Sequence, residues 1–469
     1  MPPTMERLKS NLFILISALV WLPNTLAVPL STRQFFPQYL LPPSLDPWYS
    51  APTNWESATP GTPLRIRKPA YPTINIKNCR DTLQILYRSS DTHGKPSWSV
   101  TTVFIPYSHS PDCGTSSQNE NTTCSHGIVS YLVPSDSVYV DAAPSYLLQA
   151  QEPYGEMRDL LARGWIVAVP DYEGPTASYC AGAQAGYATL DNIRAVLAAT
   201  NELGIPFEKA RHAIWGYSGG AFAAGFAMEL MDAYAPDLKT KVYGAAVGGP
   251  SPNLTTVARA MNKKDTAGLV VASLVGVTRQ WPEASEFLLS RLKKEGPYNS
   301  TGFLQINNMV GATSLYAYAH QDVYDYFQNG AEDVWHPMIL DIIDKDAVMG
   351  VVGAPPKEVP VFVYKAIDDE MSAVKETDDL VAGYCSQGST VLYHRNKLGM
   401  HNDELWSGRL RTMDFLAHVL DDKRSSNMTV PEVGKCVTED VAVPLDVLTL
   451  LPDWWWWVFP DQRPTGTGK

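Results

Sequence analysis

The chain has 469 residues, of which 45% are hydrophobic and 18% are charged, and its formal net charge is −12. This negative charge argues against nucleic acid as a partner and against electrostatic attachment to anionic membranes. A neutral, apolar substrate is compatible with it. The composition is that of a globular protein with a large core, and the length fits one large domain with an insertion or two to three smaller domains.

Residues 1–27 have the pattern of a secretory signal peptide. Arg7 and Lys9 precede the apolar run 12–22, and Thr25-Leu26-Ala27 fits a cleavage site. The apolar run is short for a membrane span. We therefore expect a secreted, extracellular protein.

Six cysteines and four N-glycosylation sequons agree with an oxidising, extracellular compartment. The sequons begin at Asn121, Asn253, Asn299 and Asn427. Six cysteines allow fifteen connectivities, so the sequence leaves the pairing open. One candidate pair flanks a polar loop and another brackets a later segment of the chain, namely Cys113 with Cys124 and Cys385 with Cys436.

Strands and helices alternate from about residue 98 to residue 248. Fully apolar runs such as 165–169 and 242–247 are typical of strands buried on both faces. We therefore predict an α/β protein with a mostly parallel sheet flanked by helices. A further apolar strand begins at residue 127 and ends in a polar loop that contains Asp136, where a donor to an oxyanion could lie.

The sequence Gly-Tyr-Ser-Gly-Gly at 216–220 is the one match to G-x-S-x-G in this chain. A short predicted strand, 211–215, precedes it, and an Ala-rich helical run, 221–231, follows it. A serine between strand and helix lies on a tight turn with its hydroxyl exposed, which is the nucleophile elbow of α/β-hydrolases. The motif predicts Ser218 as a nucleophile and the backbone N–H of Gly219 as an oxyanion donor.

Residues 251–354 carry helical patterning and no convincing strand. We interpret them as a helical cap inserted between a first core segment, 28–250, and a second one, 355–440. A cap would form the acyl pocket and exclude water, whereas the alternative is a purely structural subdomain. The candidate pocket residues in its most apolar stretch are Val270, Val271 and Leu274.

A serine nucleophile needs an acid and a base, and in this fold both follow it in the chain. The apolar strand 359–364 runs out into an acidic loop, and the residues alone do not decide between Asp368 and Asp369. His401 lies in a turn-like segment after the apolar strand 390–393, which is where the base belongs.

The other histidines after Ser218 are poorer candidates for the base. His394 stands at the end of a strand beside Arg395, so we expect it at the surface. His418 lies in a predicted helix, and two more histidines lie in the insertion.

Together these motifs resemble the fungal secretory lipase family, which includes the yeast lipase A enzymes. The elbow at 216–220 matches, and so do Asp-Tyr-Glu-Gly at 171–174 and Leu-Asp-Asn-Ile-Arg-Ala at 190–195. Ala-Ile-Asp-Asp-Glu at 366–370 resembles the acid motif of the family, which implies that Asp369 is the acid of a catalytic triad. His401 then falls where the family carries its base.

The resemblance also implies a role for Asp136, because it matches a family position that contributes to the oxyanion hole. Val-Pro-Ser precedes Asp136 in this chain, where the family more often has a Tyr-Glu pair. The exact donor in the loop 130–137 therefore stays open.

The tail 441–469 is unusual because four tryptophans follow one another. Two interpretations stay open: contact with a lipid interface or a partner, or packing across the cap or at a dimer contact. The tryptophans are Trp454, Trp455, Trp456 and Trp457. The sequence does not indicate the oligomeric state.

The sequence predicts a secreted serine carboxylester hydrolase that cleaves neutral, apolar acyl esters through an acyl-enzyme, and the resemblance implies lipid esters. The alternative is deacetylation of a small fungal secondary metabolite, such as a trichothecene-type ester. A catalytically inactive binding protein on the same fold would require a broken triad. No CxxC or HExxH spacing and no phosphate-binding glycine loop is present, so we expect neither metal nor cofactor.

Overall fold

The computed structural model describes residues 40–69, 76–107, 126–150, 154–421, 426 and 428–445. The described residues from 42 to 445 form one unit by their contacts. In the described part of the chain, every helix is too short or too polar to cross a membrane. Several predictions fall outside the described residues: the signal peptide 1–27, Cys113, Cys124, Asn121, Asn427 and Trp454 to Trp457.

The described residues contain a ten-stranded sheet with the order β1-β2-β3-β5-β4-β6-β7-β8-β9-β10. The strands are β1 Pro63–Arg67, β2 Cys79–Ser90, β3 Pro96–Pro106, β4 His126–Leu132, β5 Ile166–Pro170, β6 Ala210–Tyr217, β7 Val242–Gly248, β8 Val361–Ala366, β9 Val391–Asn396 and β10 Cys436–Val441. Strands β1, β2 and β3 pair antiparallel, and β3 also pairs antiparallel with β5. From β5 through β4 to β10 all pairs are parallel, which confirms the predicted α/β class.

The helices cover both faces of this sheet and fill the segment between β7 and β8. They are α1 Pro144–Leu147, α2 Gly155–Ala162, α3 Gly182–Ala198, α4 Thr200–Leu203, α5 Gly219–Tyr234, α6 Leu254–Met261, α7 Ala267–Thr278, α8 Pro282–Ser290, α9 Ser300–Leu304, α10 Gly311–Tyr318, α11 Ala331–Val334, α12 Pro337–Asp346, α13 Val374–Ser386 and α14 His401–Leu420.

The central strands divide their side chains between two cores, one on each face of the sheet. In β8, Val361 and Val363 belong to one core, whereas Phe362 and Tyr364 belong to the other. A strand buried on both faces has no polar side, which is why β8 appears in the sequence as a continuous apolar run. Helices α3 and α5 cover the first face, and α14 covers the second.

The segment 251–354 contains helices α6 to α12 and no strand. Every residue of α7 is buried, so this helix has no polar face and forms the centre of the segment. The helical character agrees with the sequence, and the function of the segment as a cap stays a proposal.

The parallel arrangement fixes where chemistry can occur. Loops that follow parallel strands meet at the carboxyl edge of the sheet, and ligands of open α/β sheets bind there. Ser218 follows β6, Asp369 follows β8 and His401 follows β9. The three residues therefore belong to one edge although they are far apart in the chain.

Candidate active site

Ser218 lies on a strained turn between β6 and α5. Its backbone has φ 54° and ψ −118°, a conformation that side-chain-bearing residues rarely adopt. The serine N–H donates to the carbonyl of Gly248 at 2.9 Å, which ties the turn to β7. A Cβ on Gly216 would lie 2.1 Å from the carbonyl oxygen of Gly220, so the turn can close only with glycine there. This is the geometry of a nucleophile elbow.

His401 connects the serine hydroxyl with a carboxylate. Its Nε2 lies 3.0 Å from Ser218 Oγ, and its Nδ1 lies 2.7 Å from Asp369 Oδ2. The main chain of His401 is held as well, because its N–H donates to Glu370 and its carbonyl accepts from the hydroxyl of Tyr217. His401 is the first residue of α14 rather than part of a turn, which corrects the prediction for this segment.

Asp369 is buried, whereas Asp368 is exposed. Asp369 Oδ1 accepts the backbone N–H groups of Met371 at 2.9 Å and Ser372 at 3.0 Å. Burial works against its ionisation, but hydrogen bonds and charge from His401 and Lys365 outweigh burial and hold the pKa of Asp369 well below its usual range. The structure thus brings Asp369, and not its neighbour, to the imidazole.

Lys365 was missed by sequence reasoning. It ends the apolar run of β8, has no exposed side-chain surface, and its Nζ lies 2.9 Å from Asp369 Oδ2. The sequence contains a signal that could have revealed it. Lys365 is a lysine within an otherwise apolar strand, and it precedes the acid by four residues. A charged side chain is rarely buried there without an ionic partner.

Asp136 lies beside the elbow. A Cβ on Gly219 would be 2.1 Å from Asp136 Oδ1, so the carboxyl group approaches the backbone of the residue after the nucleophile. Asp136 Oδ1 is buried and has no hydrogen-bond partner. Burial raises the pKa of Asp136 to about 6, against the opposing effects of His401 and of a hydrogen bond from Tyr179.

The loop that carries Asp136 is hydrogen-bonded to Glu173, the glutamate of the Asp-Tyr-Glu-Gly run. The Glu173 carboxyl group is hydrogen-bonded by the side chain of Ser135 and the backbone of Ser137, the two neighbours of Asp136. Burial, and then the charge of Asp136, raise the pKa of Glu173 to about 8. Two buried carboxyl groups, those of Asp136 and Glu173, thus interact at this turn.

A narrow apolar cleft opens at Ser218. Its volume is about 550 Å³ with the open mouth included. Helices α6 and α7 supply most of the apolar wall. The lining residues are Tyr179, Cys180, Ser218, Gly219, Phe222, Ser251, Leu254, Val257, Ala258, Met261, Leu269, Val270, Ser273 and Met371. Of the three predicted pocket residues, Val270 lines the cleft, whereas Val271 and Leu274 face the surrounding core.

The prediction that His394 lies at the surface is wrong. Its side chain is buried, with the ring edge-on to Phe362 at 5.0 Å between centroids and with Arg411 of α14 beside it. Burial and the charge of Arg411 lower the pKa of His394 to about 4. Helix α14 covers this face of β9, so the strand end is not exposed.

The disulfide candidates and the sequons have different outcomes. Cys385 and Cys436 form a disulfide that joins α13 to β10, which confirms that pair. Within the described residues, Cys79 and Cys180 are free. Asn253 and Asn299 cap helices α6 and α9 through their side-chain oxygens. The amide nitrogen that would carry a glycan is a different atom, so capping and glycosylation are compatible.

Among the described residues, no group of three or more His, Cys, Asp or Glu side chains is placed to hold a metal ion. The side chains of Ser218, His401 and Asp369 can transfer a proton from the serine to the histidine, and Asp369 then stabilises the imidazolium. A serine activated in this way attacks an acyl carbonyl.

Comparison with known proteins agrees with this geometry. The sequence profile of the family described as secretory lipase matches residues 147–427. A trichothecene C-3 esterase of Fusarium sporotrichioides is 41% identical over 86% of this chain and 88% of its own. Lipase A of Arthroderma benhamiae is 35% identical over 81% of this chain and 80% of its own.

Solved structures share the fold. The crystal structure of Candida antarctica lipase A superimposes with a TM-score of 0.71 at 24% identity, over 85% of this chain and 90% of that one. At that identity the likeness is evidence for the architecture alone. The sequence matches carry the assignment: the chain belongs to the secretory lipase family and is a carboxylester hydrolase.

Proposed function

We propose that the protein hydrolyses esters through an acyl-enzyme formed on Ser218, with His401 as the general base and Asp369 as the acid that orients it. The observation that carries the proposal is the hydrogen-bonded chain from Ser218 Oγ to His401 at 3.0 Å and from His401 to Asp369 at 2.7 Å. This chain ends at an apolar cleft, where an acyl group has room beside the hydroxyl.

The reaction then has two halves. Ser218 Oγ attacks the acyl carbonyl while His401 Nε2 takes the hydroxyl proton, and collapse of the tetrahedral oxyanion expels the alcohol, which receives that proton. In the second half, water attacks the acyl-serine and gives its proton to His401. Collapse of the second oxyanion returns the proton to Ser218 Oγ and releases the carboxylic acid.

We assign two donors to the oxyanion. The first is the backbone N–H of Gly219, which follows the nucleophile. The second is the side chain of Asp136 in its protonated form, because a carboxylic acid donates through its O–H. The unpartnered Oδ1 beside Gly219 and the pKa of about 6 of Asp136 support this role in mildly acidic solution.

The shape of the cleft supports a slim acyl group on the substrate. An apolar cleft lined by side chains of α6 and α7 fits the acetyl group or alkyl chain of an ester. A bulky alcohol would therefore remain on the open side of Ser218. Both a triacylglycerol and an acylated ring alcohol satisfy this condition.

Between these two substrate classes, sequence similarity favours a small acylated metabolite of the trichothecene type. The relative named trichothecene C-3 esterase is 41% identical, compared with 35% for the relative named lipase A, at similar coverage. Trichothecene-type ester cleavage is therefore our first choice for the natural reaction, and lipid ester cleavage is the second.

Hydrolysis of an ester series by the purified mature protein tests both choices. We expect kcat/KM for a C-3 acetylated trichothecene to exceed that for emulsified long-chain triacylglycerol by at least about tenfold, the discrimination that a few pocket contacts provide. Preference for the emulsion would reverse the order of the two substrates. Ser218→Ala is the control, because it should be inactive on both.

We also propose that the protein is secreted after removal of residues 1–27. The disulfide between Cys385 and Cys436 supports an oxidising compartment, and the family is described as secretory. Sequencing the amino terminus of protein collected from culture medium tests this: Val28 is expected as the first residue. Glycosidase treatment of the same sample tests for glycans at Asn253 and Asn299.

We retain the interpretation of 251–354 as a cap, with core segments 28–250 and 355–440. Helices α6 and α7 of this segment line the cleft, and this position supports the interpretation as a cap.

For the tail 441–469, contact of Trp454 to Trp457 with a lipid interface stays a proposal. Removal of the tail should then weaken binding to phosphatidylcholine vesicles without lowering activity on a dissolved ester.

A further inference from the structure

Lys365 is a buried charged residue that has no role in the proposed steps of ester hydrolysis. Its side chain is fully buried near the carboxyl end of β8, where moving an ammonium group out of water costs several kcal/mol unless it is paired. Its Nζ donates to Asp369 Oδ2 at 2.9 Å and to the carbonyl of Pro250 at 2.9 Å.

Lys365 contacts the same carboxylate oxygen of Asp369 that is hydrogen-bonded to the imidazole of His401. Asp369 Oδ2 accepts from Lys365 Nζ and lies 2.7 Å from His401 Nδ1, whereas Oδ1 is occupied by two backbone N–H groups. The ammonium and the imidazole therefore share one carboxylate oxygen. A positive charge on Lys365 reduces the attraction that Asp369 exerts on a second positive charge at His401.

We infer that Lys365 is a positioning residue of the catalytic apparatus, which fixes the Asp369 carboxylate and offsets part of its charge, so that His401 stays an unprotonated base in more acidic solution. The inference rests on the proposed function of the triad. Lys365 itself touches neither the serine nor the acyl cleft, so it acts through Asp369.

The surrounding charges make Lys365 the cation on this side of the site. Burial lowers the pKa of Lys365, and the carboxylate of Asp369 opposes that change. Among the described residues, the other charged or titratable groups around Asp369, Lys365 and His401 are acidic or neutral. They are Asp136 of the oxyanion loop, Glu370 of the acid loop, Glu376 of α13, Glu404 of α14 and Tyr217 of β6.

The contact with Pro250 adds a second link. Pro250 lies between the end of β7 and Ser251, and Ser251 lines the acyl cleft at the start of the insertion. One ammonium group thus ties the loop of the acid to the point where the chain leaves the core for the cap. A neutral hydrogen-bond donor could also connect these two loops. The experiment must therefore separate the effect of the charge from that of the hydrogen bond.

The test uses two neutral variants and a matched control. Lys365→Gln keeps a hydrogen-bond donor and removes the charge, whereas Lys365→Met removes both. Lys375→Met removes another lysine that pairs with an aspartate four residues later, but Lys375 and Asp379 are exposed on α13. For each protein, kcat and KM for a dissolved short-chain ester are measured from pH 4 to pH 9, and Ser218→Ala reports background.

We expect the acid limb of kcat/KM to move to higher pH by about one unit in both Lys365 variants, with KM nearly unchanged and no shift in Lys375→Met. A folded Lys365→Gln or Lys365→Met protein with the acid limb of the wild type, or with activity lowered equally at every pH, would overturn the inference. If neither variant folds, the wild type decides: a midpoint of its acid limb below about pH 6.5, the ordinary value of a histidine, agrees with a neutralised carboxylate, and a midpoint above it contradicts the inference. Activity that survives in Ser218→Ala would instead refute the proposed function itself.

Discussion

Asp368 and Asp369 carry the same side chain at adjacent positions, and only burial and partners distinguish them. Asp369→Asn should lower kcat by about 10⁴-fold, because an amide cannot hold the imidazole in the required tautomer. Asp368→Asn should lie within about twofold of the wild type, since an exposed carboxylate contributes little. Steady-state kinetics on a dissolved ester measures both, and equal losses in the two variants would show that the acid is misassigned.

Asp136 gives a second prediction at this scale. If its protonated carboxyl donates to the oxyanion, that donor is lost as the pH rises through its pKa of about 6. Asp136→Asn supplies an N–H donor that does not titrate. We expect the wild type to lose activity on the alkaline side by about 10²-fold and the variant to keep a flat alkaline limb. A variant that loses activity at every pH would mean that the carboxyl group acts in another way.

Residue identity alone predicted part of this site. Ser218 was identifiable because the elbow needs small residues at fixed positions around the serine. This requirement is local and can be read directly from the sequence. Asp369 followed only from family resemblance, because local sequence does not determine which of two neighbouring side chains turns inward. Lys365 and the burial of His394 depend on what packs against β8 and β9, and α14 supplies the cover for His394 from a later part of the chain.

Helix α7 shows which property of a helix the sequence does not predict, namely which of its sides faces the cleft. It is buried on all sides, so its sequence has no polar face from which the side toward the cleft could be derived. Val270 was predicted correctly as a pocket residue, whereas Val271 and Leu274 were not. The start of α14 was missed for a different reason: Gly399 and Asp403 are typical of turns, but the Asp403 side chain accepts the backbone N–H of Met400 and caps the helix.

The difference between Val270 and its neighbour provides a matched test of the cap. Val270→Ala widens the cleft, and Val271→Ala removes the same atoms from a side chain that does not line it. We expect the first variant alone to change the ratio of kcat/KM between octanoyl and acetyl esters, by several-fold to about tenfold. Both variants should lose comparable stability. The same ratio in the two variants would mean that the insertion does not bind the acyl chain.

For the whole molecule, the buried carboxyl groups predict how stability depends on pH. Burial raises the pKa of Asp171 to about 7, that of Glu173 to about 8 and that of Glu229 to about 8. In the unfolded chain such groups lose their protons near pH 4. Between about pH 4 and pH 8 these three groups bind more protons in the folded state than in the unfolded state. Burial lowers the pKa of His212 to about 3 and that of His394 to about 4, so these two side chains act in the opposite direction below about pH 6.5, but the carboxyl groups outnumber them. The free energy of unfolding therefore falls as the pH rises.

Calorimetry at pH 5, 6.5 and 8 measures this dependence. We expect the highest Tm at pH 5 and the lowest at pH 8. Glu229→Gln should reduce the difference, because it removes one titrating carboxyl group while Tyr384 and the backbone of Gly350 keep a polar partner. A Tm that is constant or increases towards pH 8 would contradict the raised pKa values of these carboxyl groups.

The central claim is that Ser218 is the nucleophile of an ester hydrolase, and covalent labelling tests it most directly. The wild type is incubated with a fluorophosphonate, digested and analysed by mass spectrometry, while hydrolysis of a short-chain ester is followed in parallel. We predict one adduct, on the peptide that contains Ser218, loss of activity in proportion to labelling, and about 10⁴-fold or greater loss of activity in a folded Ser218→Ala protein. An adduct on another residue, or a folded Ser218→Ala protein that retains most of its activity, would contradict the account.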